Sequence, residues 1–416
     1  TANTIADGTA TGEEGTGTGI GVAVAINVAD IDAIARIFGT VGLDADDGIA
    51  LEALIPQSTF LAEATSGAGG EDVGFAGSLG MNVIVADASA RIDSGAVLNL
   101  GGSDLAIRAD STIDSNVTAQ PKDAGVTVGG DGTGVGASFA LNILLGDTTA
   151  VIAPATLNAA GDLGLAAKSD RGMETLAKNG AAGGSTSIGG AIAISVSEND
   201  TIAKIDAHSS TLALAGDLAV SADLTNKVST TADGNAEGDT AIGLALGLTI
   251  ASDTSLAMAA RDINAGGTAG FTARGAAASK AKAKAGAEGA AGEPEGGGGS
   301  EGGINDDISA NRSFAGGRAN AASDTDDDSS EAGDAPRAED SSGNSVSVAA
   351  AVAVNVANAD THALIQGADV TSGGATTVQT SADADAEADA DGTSAGGDTG
   401  IGAAVALNLA DVNNAA

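Results

Sequence analysis

An apolar stretch ending on a small polar residue recurs seven times in this 416-residue chain, and no other feature limits its fold so severely. The polar residues are Asn27, Asn82, Asn142, Ser195, Thr249, Asn355 and Asn408, at spacings of 55, 60, 53, 54, 106 and 53. The 106 is twice 53, so one copy is degenerate or replaced. A period that drifts by a few residues is what loop insertions in a stacked array produce. Other landmarks return with it. An acid follows five residues later at Asp32, Asp87, Asp147, Asp200 and Asp360, with Asp253 one residue early. Ala and Ile come next at fixed offsets, as in Ala35 and Ile37 or Ala203 and Ile205. A turn such as Gly161-Asp162 or Gly216-Asp217 then opens a third apolar piece.

None of these pieces has a 3.6-residue apolar period, so each unit reads as three or four short strands separated by Gly, Asp and Ser turns. The first strand alternates two kinds of residue. Val22, Val24, Ile26 and Val28 share one face, and so do Ile242, Leu244, Leu246, Leu248 and Ile250. The other face is Ala or Gly and includes the polar residue, as in Ala191, Ala193 and Ser195. Neither face is charged, so the strand is expected to be covered on both sides, with the aliphatic face filling the core. The small face would let a second layer approach nearer than the ~10 Å usual between stacked sheets. Segments such as Lys280-Ala281-Lys282-Ala283-Lys284-Ala285 and the Ala/acid alternation of 382–389 fit that layer, with Ala inward and charge in water.

Two-sided apolar strands in units of about 53 residues predict an all-β fold: a β-solenoid, resembling a parallel β-helix, in which each unit supplies one large coil or two small ones. Propeller blades normally carry aromatic signatures, and six Phe are the only aromatics here. Collagen fails because Gly is not at every third position. The regular alternation also argues against disorder, which has no reason to keep a register. Solenoid repeats are expected over 1–285 and again over 346–416, continuing past the end of this sequence. Between them, 286–345 holds Glu293-Pro294-Glu295, four Gly and the run Asp324-Thr325-Asp326-Asp327-Asp328, and reads as a polar excursion or a decayed copy. A sequence that starts at Thr1 and stops inside a motif reads as a piece of something longer.

Composition bounds the partners. With 92 Ala and 63 Gly, the chain has little material for a thick core. Seventeen Lys and Arg against 56 Asp and Glu give a net charge of −39, so nucleic acid and anionic membrane surfaces should be repelled. No apolar run is long enough to span a bilayer as a helix. Zero Cys excludes a disulfide scaffold. The acidic surface would keep an Ala-rich β-structure soluble and limit lateral aggregation.

Catalysis has little to work with. The only histidines, His208 and His362, read as surface turn residues, and no nucleophile elbow or phosphate loop occurs. No enzyme activity and no resident cofactor are expected. Calcium is the one ligand to weigh, because hard cations need clustered oxygen donors. Asp32, Asp87, Asp147, Asp200 and Asp360 would form a column in a stack, either binding cations or solvated, and Asp324, Asp326, Asp327 and Asp328 add a weak candidate. Asn27, Asn82, Asn142, Ser195, Thr249, Asn355 and Asn408 would form a second column. There, side chains hydrogen-bond from coil to coil, unless they merely end the strand.

The phrases Gly136-Ala137-Ser138-Phe139-Ala140-Leu141-Asn142 and Ala404-Val405-Ala406-Leu407-Asn408 resemble repeats of giant bacterial surface proteins, the filamentous-haemagglutinin-like and leukotoxin-type filamentous adhesins. The resemblance covers most of the chain outside 286–345. It implies an exported, elongated solenoid at the bacterial cell surface, acting as stalk or fibre, with further repeats or identical subunits as partners. Two other functions fit a solenoid: a recognition module whose face binds polysaccharide, ice or a partner, and a polysaccharide-processing β-helix with a cleft of clustered acids and bases.

Overall fold

The computed structural model describes residues 1–11, 17–43, 48–128, 131–288, 345–396 and 398–416. It is a stack of seven coils, each built from two long strands, with a three-residue strand following in each of the first six. One long strand of each coil joins a seven-stranded parallel sheet, here sheet A. Its members are β1 (Ala2–Thr11), β4 (Ile49–Gly70), β7 (Leu105–Val128), β10 (Leu163–Ala182), β13 (Leu218–Glu237), β16 (Ala269–Glu288) and β19 (Thr376–Ala395). The other joins sheet B, made of β2 (Thr18–Ile37), β5 (Val73–Ile92), β8 (Thr133–Ile152), β11 (Thr186–Ile205), β14 (Thr240–Ala259), β17 (Val346–Ile365) and β20 (Thr399–Ala415). Three-residue strands form two further parallel sheets on the connecting side: β3 (Thr40–Gly42), β6 (Val97–Asn99) and β9 (Thr156–Asn158), then β12 (Leu212–Leu214), β15 (Ile263–Ala265) and β18 (Val370–Ser372). The expected β-solenoid is therefore present, with one large coil per unit.

Two expectations need correction. The units do not contain three or four comparable short strands. The apolar stretch and the acid-Ala-Ile segment after it run together as one 20-residue strand, as in Thr186–Ile205. The small polar residue therefore lies mid-strand and ends nothing, because its side chain finds partners inside the protein. The second correction concerns the faces. Ala191, Ala193 and Ser195 are buried, whereas Ile192 is 38% exposed and Val24 47%. The small face is the inner one, and the aliphatic face forms the outside of sheet B.

The reason lies in the sheet opposite. Across the thin half of each coil, the inner residues of sheet A are also small, so the interior there is almost wholly Ala: Ala62, Ala64, Ala177, Ala232, Ala281 and Ala283 against Ala23, Ala25, Ala140, Ala191, Ala193 and Ala351. Small side chains on both sheets bring the backbones together, as the sequence suggested. A Cβ on Gly189 would lie 1.9 Å from the Asn235 carbonyl oxygen, and one on Gly234 1.9 Å from that of Leu244. The bulky side chains of the alternate positions have no room inside and must point out. Toward the short strands the sheets diverge and the interior becomes large and aliphatic, with Ile84, Ile92, Leu98, Leu105, Ile107, Ile152, Leu163, Leu165 and Ile205 buried. The cross-section is thus a wedge.

Stacking is in register. In sheet B, Val24 aligns with Leu79, Leu79 with Phe139, Phe139 with Ile192, Ile192 with Leu246, Leu246 with Val352 and Val352 with Val405. Thr249 pairs directly with Asn355 although 106 positions separate them, so β14 and β17 are neighbours with no coil between. Most of the segment 286–345, including 289–344, lies outside the described residues.

The thin half makes a sharp test. Gly189→Ala and Gly234→Ala drive a methyl into facing backbone that cannot rotate away, and each should destabilise the fold by about 3 kcal/mol. Gly164, on the outer side of β10, has open space at its Cβ position, and Gly164→Ala should be neutral or slightly stabilising. Denaturant melts of the three variants check the contrast.

Candidate functional site

The seven small polar residues form one column on the inner face of sheet B, at the boundary between the Ala-filled and Ile/Leu-filled halves. Asn82, Asn142, Ser195, Thr249 and Asn355 are completely buried. Burial without hydrogen bonds would be expensive, and the bonds are made in two ways. At two of the three Asn–Asn steps the amides bond along the stack: Asn27 Nδ2 donates to Asn82 Oδ1 at 3.0 Å, and Asn355 Nδ2 to Asn408 Oδ1 at 2.9 Å. Elsewhere hydroxyls of sheet A cross the interior. Asn82 Nδ2 donates to Ser115 Oγ at 3.0 Å, which donates to Asn142 Oδ1 at 2.6 Å. Thr249 donates to Thr230, Thr230 to Ser195 and Ser195 to Thr175, each at 2.7 Å. Repetition in the sequence pointed to the Asn column; its partners Ser115, Thr175, Thr230 and Ser279, the last accepting from Asn355 Nδ2 at 3.0 Å, could not be found that way, because they fall in two columns of sheet A that are apolar in most coils.

The acids occupy the outer face of the same strands, beyond the aliphatic positions and away from any turn. Asp32 aligns with Asp87, and Asp147 with Asp200; Thr254 then intervenes before Asp360. The Asp147 N–H donates to Asp87 Oδ1 at 2.8 Å. Removal from water, then the like charges of Asp200 and Asp87, push the Asp147 carboxyl up. A column of carboxylates one strand spacing apart does not wrap a cation. Among the described residues no three His, Asp or Glu side chains gather closely enough to hold a metal ion. Asp324, Asp326, Asp327 and Asp328 lie outside the described residues. His208 sits in a turn and accepts from the Ser210 N–H at 3.1 Å, but His362 is inside β17 and not in a turn.

A second set of acids has an evident task. Asp104, Asp162 and Asp217 stand at the entry to successive strands of sheet A. Each Oδ1 accepts the backbone N–H of the residue one coil on: Asp162 at 2.8 Å, Asp217 at 2.7 Å and Thr268 at 2.5 Å. The bonds from Thr268 hold the Asp217 carboxyl below the usual carboxylate range. This chain of caps accounts for the recurring Gly-Asp turn.

The least expected group is internal. Arg171, on β10, is 1% exposed and donates from Nη1 to the Glu198 carbonyl at 2.8 Å and from Nη2 to the Gly146 carbonyl at 2.7 Å. Asp253, on β14, is 3% exposed and accepts from Asn226 Nδ2 at 2.8 Å. Burial lowers the Arg171 guanidinium to about 10, against the opposing pull of Asp253, Asp147, Asp87 and Asp200. Burial raises the Asp253 carboxyl to about 7, with Asn226 and Arg171 opposing. The signal for Asp253 was present: an acid one residue early in an alternating strand lies on the opposite face, here the inner one. Arg171 gave no such signal.

Nothing in this set is arranged as a reaction centre: the buried acid and base are held by amides and carbonyls, and the outer carboxylates form a line. No family model, no curated protein and no solved structure matches the chain.

Asp253 gives a pH test. Its carboxyl titrates near 7 in the fold and near 3.9 in an unfolded chain, so between about pH 4 and 7 the native state holds a proton that the unfolded state has released. Its contribution to stability therefore falls as pH rises through that window. Asp253→Asn keeps the acceptor for Asn226 and removes the titration. The variant should melt higher than the parent at pH 8, with the gap closing toward pH 4; parallel profiles would contradict the assignment.

Proposed function

We propose that this chain is a non-catalytic structural segment, a stalk or fibre piece, of a bacterial extracellular filament or giant adhesin. The observation that carries the proposal is the parallel stacking of seven coils in two continuous seven-stranded sheets, in register throughout sheet B and, in sheet A, shifted only at bulges where β7 meets β4 and β10. Such a body resists shear between coils, since sliding one coil by a residue would exchange the inner and outer faces. Every inner column would lose its fit at once. The edge strands β1 and β2 at one end, and β19 and β20 at the other, present open backbone rungs to which a further coil adds without new chemistry. Their side-chain pattern matches, because all seven coils carry it.

Two features support mechanical work over recognition of a soluble substrate. The interior is filled by Ala packing in the thin half, by Ile and Leu in the wide half, and by the polar column and the buried Arg171 and Asp253. Sheet A also carries charge pairs between adjacent coils, with Lys280 Nζ 3.0 Å from Glu387 and Lys282 Nζ 3.7 Å from Asp389. The resemblance to filamentous adhesins supplies the setting, the bacterial cell surface, and the partners, further repeats or identical subunits.

Electron microscopy of the full chain tests the proposal. A 20-residue strand spans about 66 Å, so end-to-end assemblies should have a constant width near that value and a 4.7–4.9 Å repeat along their length. Particles that never lengthen along the stack, at any concentration, count against a fibre role.

A further inference from the structure

Among the described residues, nothing covers the aliphatic outer face of sheet B. Five alternate positions on each of seven strands face outward there, and none of them carries a polar side chain. Exposure is large even mid-sheet, with Ile192 at 38% and Leu244 at 44%. Six inter-strand steps of ~4.8 Å by four two-residue steps of ~6.6 Å outline a patch of about 760 Å² between outermost Cα atoms. That exceeds the few hundred Å² typical of a monomer's largest apolar patch and is of the size, roughly 800 Å² of accessible surface per partner, that a stable protein interface buries.

We propose that this face is the interface between two copies of the chain, packed sheet B to sheet B about a two-fold axis parallel to the stacking direction. The relief of the patch selects that partner and that axis. The column from Ile26 through Met81, Leu141, Ile194 and Leu248 to Leu407 is a continuous ridge. Four residues earlier along each strand runs a furrow, small at Gly77, Ala137, Gly190, Ala350 and Ala403 and interrupted by Val22 and Leu244. Between ridge and furrow lies the column of Val24, Phe139 and Ile192. A two-fold axis along that middle column sets each coil against its own copy and lays ridge in furrow at five of the seven coils, with Ile26 meeting Val22 and Leu248 meeting Leu244 at the other two. It also keeps the columns of Asp32, Asp87, Asp147 and Asp200 from meeting each other. They fall opposite the tight turns of the partner, at the solvent rim. Some of those turns carry acids, including Asp72 and Asp239, so the rim repels and salt should tighten the pair. A lipid surface is disfavoured by the same acids on the same face.

The inference goes beyond the stalk role and does not need it, because stacking uses backbone rungs at the coil ends and pairing uses this face. The test is the mass of the full chain in sedimentation equilibrium at micromolar concentration, in low and in moderate salt. Twice the 39.1 kDa chain mass, favoured by salt, is expected. Ile192→Glu puts like charges against each other at the axis and should at least tenfold weaken the dimer while leaving circular dichroism and melting unchanged. Ser229→Glu, on the outer face of β13, should leave the dimer intact. The chain has no Cys, so Ala137→Cys with Leu141→Cys reports the geometry directly: a short bis-maleimide, which spans the ~10 Å between packed sheets, should link two chains, since each of these residues faces the other across the axis. A wild-type chain that stays monomeric in moderate salt overturns the proposal, and so does a dimer that survives Ile192→Glu. Monomers that float with neutral phosphatidylcholine vesicles overturn it too, and assign the face to lipid. Lengthening along the stack with unchanged thickness would leave the fibre reading standing and remove this one.

Discussion

In a parallel in-register stack each residue sits about 4.8 Å from its counterpart in the next coil, closer than most side chains are long. Whatever occupies a column must therefore tolerate its own kind as nearest neighbour. Ala tolerates it, as do branched aliphatics, and so do Asn, Ser and Thr, which donate and accept at once. Like charges do not, and their treatment in this protein follows from that. Sheet A sets Lys280 against Glu387 and Lys282 against Asp389. The turn acids Asp104, Asp162 and Asp217 spend their charge on the backbone N–H one coil on. The remaining acid column lies on the outer face of sheet B, where burial and then the charges of Asp200 and Asp87 raise the Asp147 carboxyl.

The second constraint is thickness. Two sheets lined with Ala and Gly approach until carbonyl oxygens fill the space a larger side chain would need, as at Gly189 and Gly234. Dispersion between closely packed backbones and the buried Ala methyls then replaces the usual aliphatic core. This explains how a chain so short of large side chains can fold, and why its Ile, Leu and Val are placed where they look least economical. Only at the wide end, near the short strands, do Ile92, Leu98 and Ile107 fill an interior of familiar kind.

The repeat made the solenoid legible, and the Ala/charge alternation of 280–285 and 382–389 correctly located the layer facing the first strand, but its charges are not all in water, since Lys282 and Lys284 are buried. The orientation of that strand was not legible. With Val24 and Ala25 both apolar, alternation shows that two faces exist but not which is inside. The usual inference, large side chains inward, assumes a partner surface able to receive them. Here the partner offers Ala. The mid-strand position of Asn142 was misread for a related reason: a polar residue among apolar ones looks like a terminus unless its partner is known, and Ser115 lies elsewhere in the sequence. Asp253 could have been placed inside from its one-residue offset. Arg171 could not, since only the fold brings the Glu198 and Gly146 carbonyls to it.

Because the chain lacks Cys, spin labels can be placed at will on the exposed column that runs from Val24 to Val405. Double electron–electron resonance between labels at those two positions, in protein diluted with unlabelled chain, reads the height of the stack. Six steps of ~4.8 Å give a narrow distribution centred near 29 Å, including the single step across the 106-residue interval between Thr249 and Asn355. A distance one or more steps longer, or a broad distribution, would contradict in-register stacking of seven consecutive coils.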